Sequence, residues 1–382
     1  MPDWKFIALL HNLSLSTAIS NDYLAIVPVD DSKCSELLQT SPSLAQMVGR
    51  FTDQFGRRTS PSLLLARERS PSGVLEQDAI IGFRNAVALS SITYAWQEAL
   101  VRQQSLNVLK YSNYFDIYPV TVSQDDDGLI IRSPSILGVD DPADFVGQIS
   151  PELATSYRVS DAYDTGLLSA IMALWAERFV ARRVSNWRTL VLFRSLEMAY
   201  HASTIPFENN STIYDYGAKI ALWVSAFEVL VRTKTEYAHP KKVRALLRGA
   251  RLYWTKLRHR RYTIRLGKKK EKGTLSEKLY QSLNDARNDF LHGNPVQIRK
   301  LFVNSNRRYH PLTVAAPLLY KQALQAFLRI PRLPEVGDYA MSDYANIRNF
   351  EDALGALADE RPRRTVERRT RHSTGRRMRG AR

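Results

Sequence analysis

The stretch ARNDFLHG contains three residues whose side chains can do chemistry together, Arg287, Asn288 and His292. An imidazole titrates near neutral pH, so His292 can give or take a proton. The guanidinium of Arg287 keeps its charge and offers a planar set of donors to phosphate oxygens. Asn288 precedes His292 by four residues, which places both on the same face of a helix. These types and spacings predict proton transfer beside an anionic group, although an ordinary helix end with a capping histidine is the alternative.

Glu228 is the fourth candidate, because it lies inside the apolar run WVSAFEVLV. A carboxylate is costly to bury there without a partner. Glu228 therefore either pairs with a cation such as Arg287 or faces solvent and has no role. Asp285 and Asp289 flank the first motif, and we expect both to be solvated, with Asp289 also able to tune His292.

The elements that must position these residues are helices, since apolar residues recur at three-to-four spacing throughout the C-terminal half. Gly293 and Pro295 mark the end of the helix that carries ARNDFLHG. We expect an α-helical bundle over residues 165–335. Its predicted helices are 165–183, 186–204, 214–234, a basic helix that begins at Pro240 and breaks at Gly267, 275–292 and 315–328.

Residues 1–160 have a mixed pattern instead. Short apolar runs at 23–29 and 129–132 predict strands, whereas 79–109 has helical periodicity. The expected fold class is therefore mainly α, with a smaller α+β domain of unknown role at residues 1–160 before the bundle. Residues 336–360 are expected to form a linker or short helix.

The two motifs together resemble the HEPN domains. ARNDFLHG matches their R-x4-6-H signature, and ALWVSAFEVL, with Glu228 embedded in it, is similar to the core helix of the Apea-like subgroup. The resemblance covers residues 165–335. It implies a HEPN-type ribonuclease that cleaves single-stranded RNA without a metal, in antiphage defence or growth arrest. Its catalytic residues would be Arg287, Asn288, His292 and Glu228, with Glu228 paired to a cation.

The spacing within the signature also bears on assembly. Arg287 and His292 are five residues apart, which is about 140° around an ideal helix. One helix face therefore does not present both residues without distortion. The resemblance implies a simpler arrangement, in which two copies of this helix meet at a two-fold axis. We expect a homodimer with a composite cleft.

Positive charge is concentrated in two segments of a chain whose formal net charge is +16. Residues 241–272 hold fourteen Lys and Arg against one Glu, and residues 360–382 hold ten Arg against two Glu. Such segments attract nucleic acid, although a solvated loop and a solubilising tail are the alternatives. Residues 361–382 have almost no apolar side chains and are expected to be disordered. The predicted RNA-binding residues are Lys241, Lys242, Arg244, Arg248, Arg258, Arg260, Arg261, Lys268, Lys269 and Lys270.

Aromatic residues interleave with the first basic segment, as they do in binders of single-stranded RNA. They are Tyr253, Trp254 and Tyr262. For Trp254 the better interpretation is the apolar side of a helix.

Other classes of site find little support. The single cysteine, Cys34, excludes an intramolecular disulfide, and no cluster of His, Cys and acidic residues has metal-ligand spacing. We therefore expect no metal and no cofactor. The sequence has no GxSxG, P-loop, HExxH or GxGxxG motif. Because it also lacks a secretory signal and an apolar run of about 18 residues, we expect a cytoplasmic protein with no membrane partner.

Two other functions stay open at this point. The chain could be a non-catalytic RNA-binding or scaffold protein that keeps the HEPN fold. It could also be a nucleotide- or partner-binding regulator, in which the domain at residues 1–160 recognises a protein or phage trigger.

Overall fold

The chain is mainly helical, as predicted, in the part that the computed structural model describes. This part comprises residues 3–52, 55–102, 110–123, 128–133, 136–137, 163–181, 186–204, 212–250, 252–303, 310–330 and 341–358. Its helices are α1 Ser32–Thr40, α2 Pro42–Gly49, α3 Gln77–Arg102, α4 Thr165–Phe179, α5 Trp187–Ala202, α6 Ile213–Val231, α7 Pro240–Gly249, α8 Thr255–His259, α9 Leu275–Leu291, α10 Leu312–Leu328 and α11 Met341–Leu357.

The strands are short and form small antiparallel sheets. They are β1 Trp4–Leu10, β2 Ile19–Ser20, β3 Leu24–Pro28, β4 Ser62–Arg67, β5 Val120–Val122, β6 Leu129–Ser133, β7 Ile136–Leu137, β8 Tyr262–Leu266, β9 Lys269–Gly273, β10 Phe302–Val303 and β11 His310–Pro311. The largest sheet has the order β1-β4-β3-β2. Its side chains alternate, so Ile26 and Leu64 join the core of the helices, whereas Val27 and Leu65 pack with Cys34 of α1 on the other face.

The long helix α3 connects this sheet to the bundle. Its buried residues Phe83, Val87 and Ile92 belong to the same core cluster as Trp175 of α4 and Leu196 of α5. Helix α3 also packs against α10 and α11. One core cluster therefore extends from one face of the sheet through α3 to the C-terminal helices.

A buried ion pair lies at the centre of this core. Lys321 of α10 is fully buried, and its Nζ lies 2.7 Å from Oδ2 of Asp164 and 2.7 Å from Oε1 of Gln97. Asp164 also caps α4, because its Oδ1 accepts from the backbone N–H of Leu167 at 2.9 Å. Burial of Asp164 opposes its ionisation, but Lys321 more than compensates and lowers the pKa of this carboxyl. One charged group thus joins α3, α4 and α10.

The basic segment after Pro240 does not form the long helix that the sequence predicted. Helix α7 ends at Gly249, and β8 and β9 pair as an antiparallel hairpin. Gly267 has φ +60°, so it takes the left-handed conformation that a tight hairpin turn requires. In β8 only Ile264 is buried, between exposed Thr263 and Arg265, which is the alternation of a half-buried strand. Gly267, which we expected to break a helix, instead forms the turn of the β8–β9 hairpin.

The other predicted elements agree with the structure to within a few residues. Helices α4, α5, α6, α9 and α10, the strands β3 and β6, and helix α11 within 336–360 all occur where the pattern placed them. The expected tail at 361–382 lies outside the described residues. No helix of the described residues is long and apolar enough to span a bilayer.

Candidate functional site

Helices α6 and α9 carry the predicted site residues and pack antiparallel. The ring of Phe227 in α6 lies 5.4 Å from that of Tyr280 in α9, while Gly217 near the start of α6 lies against Phe290 near the end of α9. A Cβ at Gly217 would come 2.5 Å from Cδ1 of Phe290. The absence of a side chain at this position therefore lets the motif end of α9 approach α6 closely.

The expected partnership of Glu228 is present. Nη2 of Arg287 lies 3.4 Å from Oε2 of Glu228, and the two side chains are 25% and 18% exposed. Side chains lean towards the N-terminus of their own helix, so in an antiparallel pair Glu228 and Arg287 lean towards each other. Burial raises the pKa of Glu228, and the charge of Arg287 offsets part of that rise. The ion pair fixes Arg287 at the surface of the α6–α9 contact.

The guanidinium of Arg287 is held by few hydrogen bonds. Its Nη1 donates to Oδ1 of Asn288 at 3.4 Å, and its Nε has no hydrogen-bond partner among the described residues. Hydrogen bonds of 3.4 Å are long for N–H donors. Tyr280 lies beneath the pair, and burial together with Glu228 raises the pKa of its hydroxyl. Nε is buried, but each Nη carries two N–H groups and makes only one long contact, so Arg287 keeps donor capacity for a further anion.

His292 ends α9 and its side chain is exposed. The N–H of Gly293 bonds the carbonyl of Phe290 at 3.3 Å, and the N–H of Asn294 bonds the carbonyl of Asp289 at 2.9 Å. With Gly293 at φ +65°, this is a Schellman ending, as the sequence predicted. The imidazole therefore stands at the negative end of the helix dipole, open to solvent.

The two aspartates that flank the motif have separate partners. Asp289 pairs with Nζ of Lys300 at 2.9 Å. Oδ1 of Asp285 accepts from Gln281 at 2.7 Å, and Oε1 of Gln281 accepts from Arg244 at 2.7 Å. Partial desolvation raises the pKa of Asp285, although its side chain reaches the surface.

The structure divides the predicted RNA-binding residues into different environments. Arg244 is a correction, because its side chain is buried against Gln281 and it serves the packing of α7 on α9 rather than the surface. Arg248 pairs with the buried carboxylate of Glu277, and Lys242 pairs with Glu236. The residues whose side chains are exposed are Lys241, Arg248, Arg258, Arg260, Arg261, Lys268, Lys269 and Lys270.

The aromatic residues of the basic segment differ in the same way. Trp254 packs against the main core, in agreement with its interpretation as an apolar packing residue, whereas Tyr253 is exposed. The backbone N–H groups of both donate to the carboxylate of Glu351, which ties α11 to this segment. Tyr262 is half-buried, with Arg260 and Lys278 over its ring.

A groove of about 790 Å³ opens on the side of α9 away from Glu228. It lies between α9, β8 and residues 297–303, and Ala358 at the end of α11 forms part of its edge. Asn288 lines it, together with the cations Lys278, Arg299 and Lys300, which sequence reasoning missed. Lys278 stands apart from other cations and Arg299 and Lys300 form only a pair, so no long charge run marked them.

The described residues contain no group of three or more His, Cys, Asp or Glu arranged to hold a metal ion. Comparisons with protein-family models, with curated protein sequences and with solved structures give no match to this chain. The resemblance to HEPN domains therefore rests on its two motifs, and the site must be interpreted from its own geometry.

Proposed function

We propose that this protein is a metal-independent endoribonuclease that cleaves single-stranded RNA, of HEPN type. The observation that carries the proposal is the ion pair between Glu228 and Arg287, which holds a guanidinium near the end of the helix that His292 terminates. A half-buried carboxylate that pairs with an arginine, five residues before an exposed histidine on the same helix, suits phosphate chemistry better than a simple helix end does.

The chemistry needs one bond to form and one to break. The ribose 2′-oxygen attacks the adjacent phosphorus, and the bond from phosphorus to the 5′-oxygen breaks. One imidazole takes the proton of the 2′-hydroxyl, and a second acid protonates the departing 5′-oxygen. Arg287 binds the phosphate oxygens as negative charge builds, and Asn288 donates a further hydrogen bond from its amide.

Glu228 acts through Arg287 in this scheme. Its carboxylate keeps the guanidinium from turning away, and it does not need to touch RNA. Because its pKa is raised by burial, Glu228 is held less firmly in its charged form than an exposed glutamate.

A homodimer supplies the second proton-transfer group. Ile213 and Tyr214 begin α6, Leu291 ends α9, and all three side chains are exposed. The contact between Gly217 and Phe290 places these exposed residues at the same end of the helix pair, around His292. Apolar side chains exposed together favour an interface. A second copy docked there would bring a second His292 to one cleft.

The biological setting follows from the resemblance alone. It indicates cleavage of RNA in the cytoplasm during antiphage defence or growth arrest, with a protein or phage trigger recognised by the N-terminal part of the chain.

The second candidate is a non-catalytic RNA-binding or scaffold protein. The observation that favours it is that Arg287 already has Glu228 and Asn288 as partners, so its role could be structural. The exposed basic residues of α7, α8 and the β8–β9 hairpin would then suffice to bind RNA.

One experiment separates the two candidates. Labelled single-stranded RNA is incubated in EDTA with the wild-type protein, with His292→Ala and with Arg287→Ala, and RNA binding is measured in parallel. We expect the wild type to cleave, and both variants to bind RNA but to cleave it at least about 100-fold more slowly. Binding without cleavage by the wild type would favour the scaffold, and a requirement for magnesium would contradict the mechanism.

A further inference from the structure

The groove beside α9 has the chemistry of a nucleotide site. Its volume of about 790 Å³ lies within the range of pockets that hold small molecules. Tyr262, Phe302 and several aliphatic side chains supply apolar wall, and charged groups stand around them. A nucleotide needs this combination, because its base is flat and weakly polar while its phosphate is anionic.

The cations of the groove outnumber its carboxylates. Four Lys and Arg line it, namely Arg260, Lys278, Arg299 and Lys300, against Asp285 and Asp289, which gives a net charge of +2. Lys300 is already paired with Asp289. Within the described part of the chain, neither Lys278 nor Arg299 forms an ion pair with a carboxylate; Arg299 donates only to Gln297, at 3.0 Å. These two cations are therefore available to a phosphate.

Tyr262 supplies a surface for stacking. Nζ of Lys278 lies 5.3 Å from the centre of its ring and the guanidinium carbon of Arg260 lies 5.4 Å from it. Both distances are within the range of cation–π contacts, so the ring is held in place by flanking positive charge. A base that stacks on this ring takes the place of one of these cations, and the displaced cation can then bind the phosphate of the same nucleotide.

Asp285 gives the groove a preference among the RNA bases. A carboxylate accepts hydrogen bonds but donates none, so it favours a base that presents an amino group. Cytosine presents an amino group where uracil presents a carbonyl oxygen. A carboxylate opposite uracil would face an acceptor and remain unsatisfied.

We propose that this groove binds one nucleotide of the RNA strand, with its base on Tyr262, its phosphate at Lys278 and Arg299, and an exocyclic amino group at Asp285. The inference rests on the proposed function for the nature of the strand. Asn288 connects the two sites, because it lines the groove and also accepts a hydrogen bond from Arg287. Through Asn288, a nucleotide in the groove is one residue away from Arg287, and the groove sets base preference on that side of the cleaved phosphate.

The test measures binding rather than cleavage, so that it stands apart from the proposed activity. Short oligo(C) and oligo(U) with 2′-O-methyl groups, which lack the nucleophile, are labelled and titrated with protein while fluorescence anisotropy is followed. The groove variant is Lys278→Gln with Arg299→Gln. Its matched control is Arg69→Gln with Lys234→Gln, which removes the same charge from exposed positions outside the groove.

We expect wild type and control to prefer oligo(C) by on the order of tenfold, and the groove variant to raise the Kd for oligo(C) on the order of tenfold. Asp285→Asn should reduce the preference for oligo(C) towards one without a comparable loss of total affinity. Thermal unfolding of each variant shows that the fold is kept.

Equal effects of the groove and control variants would overturn the proposal. So would competition by free CMP as strong as competition by unlabelled oligo(C) at the same nucleotide concentration, because the groove would then take a free nucleotide and not a strand. If these binding results hold but the wild type cleaves no RNA, the proposed nuclease fails and the groove does not.

Discussion

Gly217, four residues after the start of α6, lies against the ring of Phe290 in α9, two residues before His292. This contact sets how closely the motif end of α9 approaches α6. The contact limits the distance between α6 and α9 more tightly than the Glu228–Arg287 pair does. A long arginine side chain can follow a small shift of the helix, whereas a phenyl ring packed against backbone cannot.

Gly217→Ala is expected to destabilise the protein and to displace the end of α9. The new Cβ would overlap Phe290, and overpacking of this kind costs about 1–3 kcal/mol, of which the better helix propensity of alanine returns a part. Thermal unfolding should show a lower Tm. Gly249→Ala is the control, since a Cβ there meets nothing within 4 Å. An unchanged Tm for Gly217→Ala would contradict the close packing.

Glu228→Gln should separate stability from activity. The pKa of Glu228 is raised in the folded state, so its ionised form is less favourable there than in the unfolded chain. This cost to the free energy of folding is absent at pH values below the pKa of Glu228 in the unfolded chain. It develops as pH rises through the pKa of Glu228 in the folded protein. Glutamine has no such penalty. Urea unfolding should therefore show the variant gaining stability relative to wild type as pH rises from acid to neutral, while RNA cleavage falls because Arg287 loses its orienting charge.

Glu236→Gln provides a control with the opposite sign. Glu236 is exposed and its hydrogen bond to Lys242 lowers its pKa, so its ionised form favours the folded state. This stability is present above the unfolded pKa and is lost as pH falls through the folded pKa. The two glutamine variants should shift in opposite directions over the same pH range, and parallel shifts would rule out the assignment for Glu228.

Lys321→Met should be among the most destabilising single substitutions. It leaves the carboxylate of Asp164 buried without its cation, which typically costs about 3–5 kcal/mol. The double variant Lys321→Met with Asp164→Asn should recover much of this loss, because asparagine can still cap α4 without a buried charge. A double-mutant cycle in urea measures the coupling, and additive losses would argue against a direct pair.

Tyr214→Glu should weaken the dimer without harming the fold. Tyr214 is 79% exposed in the first turn of α6, where the helix dipole stabilises a negatively charged side chain. Light scattering after size-exclusion chromatography should show more monomer, and cleavage should fall in parallel at low protein concentration. Tyr237→Glu is the matched control, because Tyr237 is 87% exposed in the segment between α6 and α7. A monomeric variant that kept full activity would remove the composite cleft from the mechanism.

Local signals in the sequence predicted the helix that carries the site. The Schellman ending needs only Gly293 in the left-handed conformation and a hydrogen bond from the N–H of Asn294 to the carbonyl of Asp289, five residues earlier. Asn186 caps the start of α5, as its residue type predicts. The sequence also predicted the pairing of Glu228 with Arg287, because a carboxylate buried in an apolar helix needs a cation or another polar partner.

Features that depend on distant parts of the chain were missed. The hairpin β8–β9 has five charged residues in a row, Lys268 to Lys272, and such a run gives no strand signal. Helix α3 joined the bundle because its buried residues fit against α4, α5, α10 and α11, which lie far along the sequence. Arg244 belongs to a basic run in the sequence, but it is buried because it bonds Gln281, 37 residues along the chain.

The sequence by itself determined the candidate site residues, the ends of the helix that holds three of them and the mainly helical class, because side-chain chemistry and helix capping act within a few residues. The tertiary structure alone decided that Asn288 lines a groove, and which cations stand around that groove. Lys278, Arg299 and Asn288 come together only when α9 and residues 297–303 pack side by side. Such packing depends on burial of apolar surface over the whole fold, and no short stretch of sequence encodes it.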